Sequence, residues 1–489
     1  MPVRKLIARA PLDELVPVFQ RLRDKAGIQR TYSRAVEAET TQALRIEHNQ
    51  PEYEHDHVLQ ALAGDKRADL THIPFVTLDP PGAKDLDQAL WIEKDGQGWT
   101  VLYAIADVGA HVIPGGAIDT DTRTRGETVY CPDVRVGLHP PAISEGFASL
   151  LPGQRTKAAV WRMTVDASGQ LSQASVERAW VMSRRQYSYQ ELSTPGKDER
   201  PLVDLLAEFG TARRAFMRAA GAVTLPKPSQ EVVVTAQGLA LEFRAARGIE
   251  DDNAQVSLLT GVAAAQLMLQ AGVGILRTMP AAQPEALERL RRQAHALGVD
   301  WRDDEAYADV LDRLDAGSPK GAAFLVNAVT LFRGARWQPF DTTRTDGTLP
   351  LPESLVHGAL ATPYAHVTAP LRRLVDRFGT EICLAVSAGR PIPLWVIDAL
   401  PGLGEDMGGA VRRNSQVDRG CVDAVESAVL APHVGEVFVG IGLDSDTVQL
   451  HHPAVVARCQ GEVVPGREQH VRLDSAQMEQ GPRFSVVDN

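Results

Sequence analysis

The sequence predicts an α+β protein in three unequal parts: a small all-α segment (1–68), a large mixed domain (69–430) and a small C-terminal β-barrel (431–489). Three observations carry this. Apolar residues recur at helical spacing before Leu70; β-rich and helical runs then alternate with no long linker between them; five short strands divided by Gly, Pro and Asp turns finish the chain. A length of 489 residues is also enough for about three domains.

In the first part, Leu12, Leu15, Val16 and Phe19 stand at i, i+3, i+4 and i+7, with Pro17 predicting a late start or a kink. A second helix is expected from about Tyr32 to Ile46, and a third around Val58, Leu59 and Leu62, stopped at Gly64. From Met1 to Arg34, eight basic residues stand against three acidic ones, a local +5 in a chain of net charge −11. Three short helices with local positive charge suggest a helix-turn-helix-like RNA-binding module; a solvated helical cap is the alternative.

In the second part, Phe75–Leu78, Trp99–Ile105 and Ala158–Val165 read as strands. Helical pattern is expected over Val203–Gln270, Pro284–Leu314 and Ala369–Val386. The uncharged run Asn253–Leu276, interrupted by Gln and Ser, reads as a buried helix rather than a membrane span. The third part holds strands at Val437–Ile441, Thr447–Leu450, Val455–Ala457, His470–Leu473 and Phe484–Val487, a pattern of OB type. It counts four basic residues against eight acidic ones from Gly435 to Asn489.

Composition is that of a soluble globular protein, 44% hydrophobic and 23% charged, which excludes wholesale disorder and fibrous classes. Four scattered cysteines without a CxxC pair point to neither a zinc finger nor a disulfide framework. With no apolar leader behind Met1-Pro2-Val3-Arg4-Lys5, a cytoplasmic monomer without membrane contact is expected. No Walker A loop or GxSxG elbow is present, and Glu54-His55-Asp56-His57 reads as a solvated turn.

The chemistry concentrates in Thr77-Leu78-Asp79-Pro80-Pro81-Gly82-Ala83-Lys84-Asp85-Leu86-Asp87-Gln88. A strand delivers Asp79, and the Pro-Pro-Gly turn folds the chain back so that Asp85 and Asp87 can converge on it. Carboxylates brought together repel unless a cation joins them, and an oxygen-only donor set suits Mg²⁺ or Mn²⁺. The alternative is a solvated acidic turn. Farther on, Thr368-Ala369-Pro370 has the form of a helix start, which would put Arg372 and Arg373 in a first turn that already favours anions.

Asp79-Pro80-Pro81-Gly82-Ala83-Lys84-Asp85-Leu86-Asp87 resembles the acidic signature of the ribonuclease II and ribonuclease R family, whose catalytic module is the RNB domain. Ala104-Ile105-Ala106-Asp107-Val108, Ser149-Leu150-Leu151-Pro152-Gly153 and Tyr364-Ala365-His366-Val367-Thr368-Ala369-Pro370-Leu371-Arg372-Arg373 match further family segments in the same order. The resemblance implies an RNB-type central domain and an S1-type C-terminal barrel. It also implies a Mg²⁺-dependent, processive 3′→5′ exoribonuclease acting on single-stranded RNA with a free 3′ end and releasing nucleoside 5′-monophosphates.

Carried over residue by residue, Asp79, Asp85 and Asp87 would hold metal and organise the attacking water, with Asp87 and Arg372 as catalytic residues. Tyr130 would stack on a base and Tyr189 would read the sugar, with His366 and Arg373 near the RNA. Three departures stand out. Gln88 occupies the place of a usual fourth Asp, where its amide oxygen could still ligate a cation. Leu225 replaces a stacking Phe, and Gln255 replaces a ribose-contacting Glu. The N-terminal helices stand where relatives carry cold-shock barrels. A catalytically weak RNA-binding protein with a degenerate metal site at Gln88 is the alternative expectation.

Overall fold

The computed structural model describes residues 9–47, 67–225, 228–236, 238–244 and 248–487. Its N-terminal part contains α1 (Leu12–Lys25) and α2 (Arg34–Glu47). The third expected helix and the Glu54–His57 segment lie outside the described residues. α1 starts at Leu12 and includes Pro17, so the late start is not found; Pro17 removes one helical N–H donor.

The strands of the central part run in chain order as β1 (Ala68–Asp69), β2 (Val76–Asp79), β3 (Gln88–Asp95), β4 (Gly98–Ala106), the short hairpin β5 (Val129–Tyr130) and β6 (Arg135–Val136), then β7 (Arg155–Val165), β8 (Leu171–Met182) and β9 (Arg185–Ser188). Apart from the hairpin they form one sheet of order β1-β8-β7-β4-β3-β2-β9, antiparallel except at its β1–β8 and β2–β9 edges. β4 is buried throughout, so its alternating side chains enter two different cores. Trp99, Val101, Tyr103 and Ile105 face one core; Leu102, Ala104 and Ala106 face the other.

Helices α3 (Ala117–Arg125), α4 (Tyr189–Ser193), α5 (Arg200–Ala219) and α6 (Gly248–Ala271) follow, with the hairpin β10 (Ser229–Thr235) and β11 (Gly238–Arg244) inserted before α6. This hairpin interrupts the stretch expected to be helical; Val232-Val233-Val234 favours a strand. α6 is long and apolar enough to cross a membrane by length and composition alone, yet it packs against α5 and the sheet core. It stops at Gly272, whose φ of +72° suits glycine, so Val273–Leu276 belong to β12 (Val273–Thr278) instead.

Next come α7 (Pro284–Leu297), α8 (Tyr307–Asp312), α9 (Pro319–Ala328), β13 (Arg336–Asp341), α10 (Leu374–Ser387) and the 37-residue α11 (Leu394–Leu430). Finally β14 (Val437–Gly442), β15 (Thr447–Leu450), β16 (Val455–Gln460), β17 (Glu468–Gln477) and β18 (Gly481–Val486) close a five-stranded barrel of order β14-β15-β16-β18-β17.

The terminal parts share a core. Leu15, Val18 and Phe19 of α1 pack with Val417, Cys421 and Val425 of α11 and with Val448, Leu473 and Phe484 of the barrel. Val36 of α2 enters the opposite core beneath the sheet. Arg23, part of the basic N-terminal segment, is fully buried and forms a bidentate pair with Asp133 at 2.6 and 2.8 Å. Its charge is therefore spent on folding.

Glu426 of α11 is buried at the same junction, where its Oε1 accepts from Gln230 Nε2 at 2.7 Å and from the Val456 N–H at 3.0 Å. Burial pushes its carboxyl up to about 7 from 4.5. A raised folded value means stability that is full at acid pH and lost as pH rises through about 7. Glu426→Gln keeps the acceptor without the charge. It should gain on wild type by about 2–3 kcal/mol at most between pH 5 and pH 8, read as urea unfolding at both pH values. An unchanged difference across that range would contradict this account.

Candidate active site

The acidic loop and the arginine segment meet at the Asp87 carboxylate. Leu371 N–H donates to Asp87 Oδ1 at 2.8 Å, and Arg372 Nε lies 3.3 Å from Asp87 Oδ2. Asp87 is nearly buried, its side chain 5% exposed, whereas that of Arg372 is 48% exposed. The Asp87 carboxyl is pushed up to about 7 by burial, against the pull of Arg372 and the Leu371 hydrogen bond. Arg372, by contrast, holds its proton more tightly than usual: burial opposes its charge, but Asp87 and the neighbouring acids outweigh it. The two effects fit together, since the arginine reaches solvent and the carboxylate does not.

Asp79, at the end of β2, is also pushed up, to about 6, chiefly by burial. Its Oδ2 is buried without a hydrogen-bond partner. Asp85 is held differently: Arg135 contacts it at 2.6 Å and Tyr130 Oη donates to it at 3.2 Å. Among the described residues, no group of three His, Cys, Asp or Glu side chains is arranged to hold a metal. What the loop provides instead is the buried Asp87 and the half-buried Asp79, which has one buried, unpartnered oxygen; both carboxyls are pushed up by burial. That donor set fits Mg²⁺, which commonly takes one or two carboxylates and leaves other positions to water and phosphate.

The arginine segment does not begin a helix at Pro370. α10 starts at Leu374, and Arg373 is extended, with φ −134° and ψ 127°. The reason lies in competing partners. Ala369 N–H donates to Asp376 Oδ1 at 2.7 Å, Thr128 N–H to the Arg372 carbonyl at 3.0 Å, and Leu374 N–H to the Gly126 carbonyl at 2.9 Å. Asp376 also takes Arg373, at 2.7 Å, so it is not the partner of Arg372. The segment is stitched between Asp87 and the Gly126–Thr128 stretch ahead of β5, which presents Arg372 from a loop.

Two further supports position the site. Ser149 Oγ donates to the Lys84 carbonyl at 2.6 Å and accepts the Leu86 N–H at 2.9 Å, pinning the acidic loop. At Gly261 of α6, an added Cβ would stand 2.1 Å from the Tyr364 ring, so only glycine lets the 364–368 segment lie this close.

Tyr130 is 51% exposed beside Asp85. Tyr189 begins α4, its hydroxyl accepting from Asn253 Nδ2 at 3.2 Å, and its ionisation is pushed up by burial and by Asp79. Gln88 turns its amide to Tyr103 and to the Thr368 carbonyl. Gln255 is half-buried on α6. Leu225 packs against the apolar cluster of α7, α8 and α9, and Arg373 is bound to Asp376. His366 Nδ1 accepts from Trp337 Nε1 at 3.2 Å, and burial, then Arg373 and Arg277, keep the ring neutral by lowering its pKa. Arg135, Asp376 and the backbone of Leu371 were not legible as site components. Arg135 and Leu371 have partners distant in sequence, and Asp376 acts through local contacts that no motif marks.

Residues 67–381 match the RNB domain family. The chain belongs to the RNB-domain ribonuclease II/R family. This RNB protein is 26% identical over 417 residues to ribonuclease R of Vibrio parahaemolyticus, covering 77% of this chain and 47% of the relative. It is 26% identical over 346 residues to exoribonuclease 2 of Yersinia pseudotuberculosis, covering 66% of this chain and 51% of that one. The chain thus spans about half the length of these relatives. Its fold matches that of Mycoplasma genitalium RNase R in complex with ribose-methylated single-stranded RNA. The TM-score is 0.82 at 15% identity, covering 97% of this chain and 78% of the other.

A buried carboxyl with a raised pKa leaves stability full at acid pH and lowers it as pH rises through the folded value. Asp87→Asn should therefore match or exceed wild-type stability at pH 8, by about 1 kcal/mol, with the gap closing at pH 5. Thermal melts at the two pH values check this; clear destabilisation at pH 8 would refute it.

Proposed function

We propose that the protein is a Mg²⁺-dependent 3′→5′ exoribonuclease, cytoplasmic and monomeric, that removes nucleoside 5′-monophosphates processively from single-stranded RNA. The observation that carries this is the placing of two carboxylates pushed up by burial, the half-buried Asp79 and the buried Asp87, near the half-exposed Arg372 in an RNB-domain chain. Mn²⁺ is an alternative cation of the same chemistry.

In this reading Asp79 and Asp87 hold the cation, and Asp85, kept in place by Arg135, helps to orient the attacking water. The chemistry supplied by a bound Mg²⁺ is neutralisation of the scissile phosphate and easier ionisation of the attacking water. Arg372 binds a non-bridging phosphate oxygen and stabilises the charge that builds as the bond breaks. Tyr130 offers an exposed ring to the terminal base, and Tyr189 its hydroxyl to the sugar. His366, Arg373, Leu225 and Gln255 are weaker assignments. His366 and Arg373 are engaged with protein partners, and Leu225 and Gln255 lack the stacking ring and the carboxylate that would favour RNA strongly.

End-labelled oligonucleotides test the reading. With Mg²⁺, 3′-labelled RNA should release its label at once as mononucleotide while 5′-labelled RNA shortens progressively; EDTA should stop both. Internal cuts, or no turnover of any RNA, would refute it. Asp87→Asn should reduce turnover by about a thousandfold or more while RNA affinity stays within a few-fold. Full activity in that variant would overturn the assignment. Matched RNA and DNA should differ in rate, and equal rates would remove the claim of RNA specificity.

A further inference from the structure

We propose that Gln88 is a positioning residue that clamps the arginine segment to the acidic loop and takes no part in holding the cation. This deepens the reading above and rests on it for its catalytic consequence. Gln88 is the first residue of β3, directly after Asp87. Its Nε2 donates to the Thr368 carbonyl at 2.7 Å. A carbonyl oxygen can only accept, so the partner itself decides which end of the amide faces it. The amide oxygen is left to Tyr103, whose hydroxyl donates at 2.5 Å, and to Ser257 Oγ at 3.4 Å. Tyr103 and Ser257 are themselves 2.8 Å apart. A carbonyl oxygen has two lone pairs, and two hydroxyls already address this one.

Four pieces of the chain thus meet at one amide: β3, β4 through Tyr103, α6 through Ser257, and the loop ahead of Arg372 through Thr368. Consecutive residues grip that loop with opposite polarity. Asp87 accepts from the Leu371 N–H, and Gln88 donates to the Thr368 carbonyl. Arg372 follows directly, so its placement depends on both contacts. A carboxylate at position 88 would turn an oxygen toward the Thr368 carbonyl and repel it. The side chain that serves here must both donate and accept.

Two substitutions in the full-length protein separate positioning from metal binding. Gln88→Glu has the same shape, keeps the acceptor for Tyr103 and loses the donor to Thr368. Positioning predicts a kcat lower by about 10–100-fold with KM within about twofold, whereas a metal ligand would be improved by the added charge. Gln88→Ala removes no carboxylate ligand and should leave Mg²⁺ affinity, measured by calorimetry without RNA, within about twofold. In the same variant, hydrogen exchange of the peptide 366–374 should become faster while β4 stays protected. A gain in kcat for Gln88→Glu, a tenfold or greater loss of Mg²⁺ affinity for Gln88→Ala, or unchanged exchange over 366–374 would each overturn the proposal. Wild-type protein inactive on RNA would refute the nuclease reading alone, because exchange and calorimetry still decide the role of Gln88.

Discussion

The hydrogen bond from the Leu371 N–H to Asp87 Oδ1 joins residues 284 positions apart, and the site depends on it. A buried carboxylate needs donors, and here the donor is the backbone that carries Arg372. One contact therefore orients the acid and sets the arginine beside it, while the partners of Ala369, Arg372 and Leu374 keep Pro370–Arg373 out of α10. Asp376, Ser149 and Gly261 each secure one side of this junction: the arginine loop, the acidic loop and the helix on which the loop rests.

The electrostatics separate structural acids from those of the site. Asp107 is buried between Arg67 at 2.7 Å and Arg178 at 3.0 Å, and these guanidiniums, working against burial, hold its carboxyl well below the usual range. Asp119 is paired with the buried Arg377 at 2.7 Å. Asp79 and Asp87 have no such full compensation and are pushed upward instead. Burial of an ionised carboxylate is costly without a partner, so the cation proposed above would relieve that cost at Asp79 and Asp87.

The outer parts are tied to the centre through α11, which carries a core shared by α1 and the barrel. Net charge of −11 taken alone disfavours a nucleic-acid partner. Part of that acidity is internal, as in Asp107 and Asp376, and part of the N-terminal positive charge is internal as well, as in Arg23. Overall charge is therefore a poor guide to what this surface binds.

The sequence by itself determined the order of the parts, the five barrel strands and the placing of Asp79, Asp85 and Asp87 in one turn-containing loop, because period-two alternation, turn residues and motif spacing are local properties. It also singled out Arg372, through the motif that contains it. Only the tertiary structure decided that Asp85 belongs with Arg135, that Asp376 binds Arg373 rather than Arg372, and that the loop before α10 is not helical. Local propensity favoured a helix start at Thr368-Ala369-Pro370, but backbone partners at Asp87, Gly126 and Thr128 came from elsewhere in the chain. The same holds for Gln88. Its sequence position suggested a ligand, whereas its side chain is engaged by Tyr103, Ser257 and Thr368, partners that only folding brings within reach.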